Sequence, residues 1–186
     1  MSLPISKYYF TVAEFERMGE AGVFKMDARL ELIEGEIIEM SPIGSRHIAC
    51  VNFLSRLLNQ TVGDIAIVST QNPIRLNDFS QPQPDIALLR LRDDFYKDAL
   101  TTSRDVLLVV EVADTTLAYD RQVKVPLYAK AGIEEVWIVN LVEEQIETYA
   151  ELANGAYQTN AIFQRGEEAH AHTIANLSVS VEDVLG

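Results

Sequence analysis

The run Val106-Leu107-Leu108-Val109-Val110, closed by Glu111 and Val112, constrains the fold more than any other feature of the chain. Its apolar residues do not alternate with polar ones, so it reads as a strand covered on both faces. The acid at its end is unusual, because an unpaired carboxylate in such surroundings would be costly. Any fold for this chain must therefore supply layers on both sides of a sheet and a use or a partner for Glu111.

The flanking segments supply such layers. Ser45 opens a helix to about Gln60, with Ile48, Val51, Leu54, Leu57 and Leu58 at helical spacing as its buried stripe. Ile65 to Val68 and Pro73 to Leu76 read as strand pieces. Asp85 to Leu91 reads as a strand announced by Gln81-Pro82-Gln83-Pro84. Tyr119 to Ala131 returns to helical period, with Val123, Leu127 and Ala131 on one side and Gly132 as its cap, and Glu135 to Asn140 is again a strand. From Ser45 to Asn140 the order is helix, three strands, helix, strand, the signature of an α/β (α+β) mixed sheet with helices packed on it.

Outside this centre, Thr11 and Glu14 form a capping-box pair for a short helix that fades at Gly19. Arg29 to Met40 reads as an N-terminal β-hairpin turning at Glu34-Gly35. Gln145 to Glu151 and Ala156 to Phe163 form a C-terminal one across Asn154-Gly155. The tail, Ala175 to Gly186, alternates at Leu177, Val179 and Val181 and reads as a last strand or edge segment. No repeat or linker interrupts residues 1–186, which are expected to form a single domain.

Bulk properties narrow the function. Met1 to Phe10 does not resemble a signal peptide, the apolar run at Val106 is too short to span a bilayer, and the lone Cys50 fits a reducing cytoplasm. The expectation is a cytoplasmic protein with no membrane partner. The net charge of −13, from 28 acidic and 15 basic residues, counts against loose binding to nucleic acid, whose affinity comes from Lys and Arg displacing counterions. Contact with DNA or RNA would have to be local, helped by bound cations or by a second subunit.

Asp85 begins a strand directly after Pro84, and Glu111 closes the most buried one. On neighbouring strands they would supply hard oxygen ligands for Mg²⁺, which takes carboxylates plus several waters, and the cation would relieve their repulsion. The alternative is that each is a rim carboxylate paired with Arg or capping a loop. Lys124 lies one helical turn from both Asp120 and Tyr128, so the three share a face. Lys124 is either a solvent ion pair of Asp120 or a cation leaning over the strand end. His170 and His172 are too few for a zinc site, and Cys50 and Trp137 read as core.

In this order the motifs resemble those of the Uma2 family, a branch of the PD-(D/E)XK nuclease superfamily. The resemblance rests on Glu31-Leu32-Ile33-Glu34-Gly35-Glu36-Ile37-Ile38-Glu39-Met40-Ser41-Pro42, His47 and Pro84-Asp85-Ile86-Ala87. It continues through Val110-Glu111-Val112, Asp120 with Lys124 and Tyr128, and Gly132-Ile133-Glu134-Glu135-Val136-Trp137-Ile138-Val139. It implies a restriction-endonuclease-like core and Asp85 and Glu111 as metal ligands, joined by the backbone carbonyl of Val112. The cofactor would be Mg²⁺, or Mn²⁺, and the substrate nucleic acid, DNA in preference to RNA. The superfamily's Lys stands two residues beyond the acid, where this chain has Ala113, and similar proteins carry it on the following helix, here as Lys124. Asp114 stands where relatives often have Ser.

By the same resemblance, Glu34 is a further ligand or a hairpin-end carboxylate in solvent. His47 is a second-shell base, a phosphate contact or a surface residue, and Gln71 could orient a water. The expected activity is Mg²⁺-dependent endonucleolytic hydrolysis of phosphodiesters. The rivals are a nuclease-like binding or regulatory module that does not cut, prompted by Ala113 and the charge, and a homodimer paired through the Asn154-Gly155 hairpin.

Overall fold

A computed structural model describes residues 6–186, so the N-terminal reading of Met1 to Phe10 lies partly outside the described residues, at positions 1–5. The run that opens the sequence argument is β5, Val106–Ala113, and it lies inside a six-stranded sheet of order β3-β4-β5-β6-β7-β8. The strands are β3 Ala66–Thr70, β4 Ile86–Arg90, β5, β6 Val136–Asn140, β7 Gln145–Ala153 and β8 Ala156–Gln164. All neighbours are antiparallel except β5 and β6, which run parallel. A parallel pair needs a crossover, and the helical segment 117–130 provides it.

Both faces of β5 are covered, as its unbroken apolar run requires. Leu108 and Val110 join Leu88 and Trp137 beneath helix α2, Ser45–Val62. Val109 and Ala113 join Ala87, Ile138 and Tyr128 on the opposite face. From α2 to β6 the order is helix, three strands, helix, strand, as the sequence implies. Pro73 to Leu76 is not a strand; its ladder contact is one isolated bridge, Arg75 to Thr102.

Helix α1, Val12–Glu20, carries the Thr11–Glu14 capping box. Strands β1 Leu30–Ile33 and β2 Glu36–Glu39 form the first hairpin, and Glu34 and Gly35 turn it with φ of 49° and 82°. A Cβ on Gly35 would stand 2.6 Å from the Tyr9 Cβ, so glycine is required twice over, for its dihedral and for space. The C-terminal hairpin β7–β8 turns at Asn154-Gly155 as expected. The tail is a short last strand, as expected, that passes into a helix at Val181. β10, Ser178–Ser180, pairs with β9, Glu168–His170, for three residues only. The Ser180 side chain then caps α5, Val181–Leu185, which buries Val181 and Val184.

Two helical faces are rotated from their expected positions. In α2 the buried stripe begins at His47 rather than Ile48, which is 42% exposed, and Leu57 is only partly buried. In the crossover, α3 Leu117–Tyr119 passes into a π turn, Asp120–Lys124, before α4 Val125–Lys130. Here Leu127 is buried as expected, but Val123 and Ala131 are only half-buried, and Lys124, Val125 and Tyr128 face inward instead. Pro126 has no N–H for the ordinary helical bond, and the Val125 N–H reaches back five residues to the Asp120 carbonyl. The extra residue in that turn swings Lys124 toward the sheet. Among the described residues no helix is long and apolar enough to cross a membrane.

Candidate active site

Asp85 is placed by what precedes it. Pro82 and Pro84 hold the approach extended and β4 starts at Ile86. Ile86 pairs with Val110, so the antiparallel register carries Asp85 to the position opposite Glu111. Asp85 Oδ2 accepts hydrogen bonds from the Val112 N–H at 2.9 Å and from His47 Nε2 at 3.0 Å, while Gln71 Nε2 stands 3.3 Å from Oδ1. Burial would raise the pKa of this carboxyl, yet the His47 and Val112 hydrogen bonds and the Lys124 charge outweigh it and hold the pKa below the ordinary value. Asp85 is thus a pre-formed anion.

Glu111 is held differently. Its Oε1 accepts from the Tyr128 hydroxyl at 2.6 Å and from Lys124 Nζ at 2.9 Å. Burial pushes its pKa up to about 8; Lys124 opposes this, and the charges of Asp120, Asp85 and Glu31 add to it. Lys124 is 1% exposed and its ammonium also lies 3.0 Å from Glu31 Oε1. Burial would lower its pKa, but Glu111, Glu31 and Asp120 together raise it, so the ammonium stays charged. Asp120 accepts from the Thr116 hydroxyl at 2.7 Å, and burial lifts its pKa.

Four buried carboxylates, Glu31, Asp85, Glu111 and Asp120, therefore share one buried ammonium. Uncompensated charge of this kind is resolved by protons or by a cation. A cavity of about 220 Å³ opens beside them, lined among others by His47, Asp85, Glu111, Asp114, Asp120 and Lys124. Asp114 stands half-buried at its rim.

The donor set suits a hard cation that keeps its water. Asp85 Oδ1 has one long hydrogen bond, and Glu111 Oε2 accepts none among the described residues. Mg²⁺ is commonly held by one or two carboxylates plus waters. Among the described residues no three His, Cys, Asp or Glu side chains are grouped so as to hold a metal by themselves, which disfavours an all-protein Zn²⁺ or Ca²⁺ cage.

The remaining sequence candidates fall on either side of the site. His47 is buried against Asp85 and is not a surface residue. Gln71 adopts φ 52° and ties both its N–H and its side chain to Asp85. Ala113, where the superfamily Lys would stand, is fully buried, and Lys124 brings its ammonium from the helix to the neighbouring Glu111. Glu34 is not brought in: its side chain is 64% exposed, 3.3 Å from Lys130 Nζ, and does not line the cavity. Glu31, three residues earlier on β1, is buried against Lys124 instead. Its sequence signals are its place at the head of the family motif and an acid between Leu30 and Leu32 in a partly alternating run. His170 is exposed beside Phe163, Cys50 is buried with its thiol pushed up to about 12, and Trp137 is core.

No curated protein matches the chain. A crystal structure from Anabaena variabilis, described as a "putative nuclease belonging to DUF820", superposes with a TM-score of 0.72 at 16% identity, covering 95% of this chain and 97% of that one. This likeness shows a shared fold. The sequence profile of the Uma2 family, described as "Putative restriction endonuclease", matches residues 12–182, and the chain belongs to that family.

Proposed function

We propose that the chain is a Mg²⁺-dependent endonuclease that hydrolyses phosphodiester bonds, with DNA as its substrate. One observation carries the reading: a buried, charged Lys124 lies 2.9 Å from Glu111, and Asp85 stands opposite Glu111 on the next strand, with all three lining one cavity. Asp85 and Glu111 would hold the cation, with the Val112 carbonyl as the further ligand that the family resemblance implies. A bound divalent cation supplies Lewis acidity, polarising a phosphoryl oxygen and acidifying water.

The chain's own residues do the rest. His47 and the Val112 N–H fix the Asp85 carboxylate through Oδ2 and leave Oδ1 with one long hydrogen bond from Gln71. Tyr128 fixes Glu111 through one oxygen and leaves the other. Lys124 stays protonated and offers its positive charge to the pentavalent phosphate, a contribution largest where charge develops in a buried site. Glu34 has no part in this, being held by Lys130 outside the cavity.

The test is cleavage of plasmid and linear DNA by purified protein with Mg²⁺ or Mn²⁺. Wild type should cut, and Asp85→Ala and Glu111→Ala should each lose at least about a hundredfold in rate. Equal cleavage by all three would identify a contaminant. A module that binds without cutting is the second reading. It is favoured by one contact, Glu111 Oε1 being already engaged by both Lys124 and Tyr128. Absence of carboxylate-dependent Mn²⁺ binding would decide for the module.

A further inference from the structure

Glu31 has no exposed surface at all, and it lies on the β1–β2 hairpin, outside the six-stranded sheet. A carboxylate buried so completely must be compensated. Its Oε1 forms an ion pair with Lys124 Nζ at 3.0 Å and accepts a hydrogen bond from the Gln83 N–H at 2.7 Å, while its Oε2 has no partner among the described residues. Both contacts reach the site. Gln83 stands between Pro82 and Pro84, which have no N–H, so its amide is the single backbone donor across residues 82–84. Two residues later comes Asp85.

The ammonium of Lys124 is divided between two carboxylates at nearly equal distance, 2.9 Å to Glu111 and 3.0 Å to Glu31. Those two acids differ in their surroundings. Glu111 lines the site cavity, whereas Glu31 borders a second one, of about 250 Å³, beside Asp120 and Lys124. A cation entering beside Glu111 competes with Lys124 for that carboxylate and repels the ammonium. A lysine whose sole counterion was Glu111 would either close the ligand off or be left buried without compensation.

We infer that Glu31 is a positioning residue: it is the standing counterion of Lys124, freeing Glu111 to take a cation while the ammonium remains at the cavity wall. This rests on the nuclease reading for its purpose, but the hold of Glu31 on Lys124 is a property of the protein alone. The same carboxylate, through Gln83, fixes the extended approach to Asp85, so the first hairpin is part of the site's framework. The unpartnered Oε2 is the cost of that placement.

Glu31→Gln keeps the shape and the oxygen that accepts the Gln83 N–H and removes only the charge. Mn²⁺ binding, followed by electron paramagnetic resonance without nucleic acid, should weaken on the order of ten- to a hundredfold, as for other groups that orient metal ligands. The melting profile should show a folded protein. Adding Lys124→Met to Glu31→Gln should bring Mn²⁺ affinity back to that of Lys124→Met alone, because the competitor for Glu111 is gone, while DNA cleavage stays lost. A purely structural role for Glu31 predicts no such recovery. Unchanged Mn²⁺ affinity in Glu31→Gln, or a double variant no better than the single, overturns the proposal. Acetylation by an activated acetate ester, read at Lys124 by mass spectrometry, gives an arm independent of metal. Lys124 should be protected in wild type and modified in Glu31→Gln. If wild type binds no Mn²⁺ yet Lys124 loses protection in Glu31→Gln, the nuclease reading falls and the Glu31 contact stands. Equal protection in both overturns the contact.

Discussion

Glu111 has to serve two masters, Lys124 and whatever cation enters the cavity, and its protonation decides between them. Burial lifts its pKa to about 8, so without metal a proton competes with Lys124 for this carboxyl around neutral pH. Its unfolded value is near 4.5, and a group raised on folding stabilises the native state most fully below the unfolded pKa. That contribution is lost as pH rises through about 8. Asp120, also raised by burial, acts in the same direction, while Asp85, which is lowered, is already ionised in both states above pH 5. Without metal the melting temperature should therefore fall between pH 5 and pH 8.5, and Glu111→Gln should flatten the fall. With saturating Mn²⁺ the trend should reverse, because the cation displaces the proton. Calorimetry in two buffers of different ionisation enthalpy should count close to one proton released per cation at pH 7. A melting temperature independent of pH in wild type and Glu111→Gln alike would remove the argument.

At the scale of elements, the π turn is what aims the crossover. An unbroken α-helix would rotate Lys124 away by most of a residue's turn, about 100°. Pro126 withholds the N–H that an unbroken helix would use. Pro126→Ala restores it and gains helix propensity, so stability should hold within about 1 kcal/mol or rise. Cleavage should nonetheless fall on the order of tenfold to a hundredfold, since displacing a catalytic group by about 1 Å can cost that much. Full activity in Pro126→Ala would show that the turn is set by packing alone. The same turn explains what the sequence could and could not reveal. Helix, strand and hairpin order was legible because the apolar period and the Glu34-Gly35 and Asn154-Gly155 turns report it directly. The face of the crossover was not, because a fixed helical period assumes no inserted residue, and so it favoured Val123 and Ala131. The burial of His47, which the sequence did name as a candidate, and the place of Glu31 escaped for another reason. Hydropathy places polar side chains outside, and these two are buried only because Asp85 and Lys124, distant in sequence, meet them. Asp85 and Glu111 were legible as a pair because Pro84 and the Val106 run fix their strands. Glu34 was the natural choice from the hairpin turn, yet the turn is where a side chain escapes to solvent.

The whole molecule carries a charge of −13, which sets how it could meet a polyanion. Its basic residues do not offset this locally. Lys7, Arg46, Arg75, Arg92, Arg121, Lys130 and Arg165 each lie within 3.3 Å of an acid, and Lys124 is buried. The seven basic residues that form no ion pair among the described residues, Arg17, Lys25, Arg29, Arg56, Arg90, Lys97 and Arg104, face 28 acids in the chain, which argues against binding driven by a broad electrostatic surface. Under the proposed function, binding would be concentrated where Asp85 and Glu111 would hold a divalent cation. Duplex DNA should therefore bind only weakly in EDTA, and adding Ca²⁺, which occupies carboxylate sites without promoting the cut, should restore binding. Asp85→Ala should not respond to Ca²⁺. In fluorescence anisotropy across about 50 to 200 mM salt, the slope of log K against log salt should be shallow, corresponding to about two or three phosphate contacts rather than the six to ten of a basic binding face. Tight, steeply salt-dependent binding in EDTA would mean that a basic face exists despite these pairings, and the dependence of nucleic-acid contact on the metal would have to be abandoned.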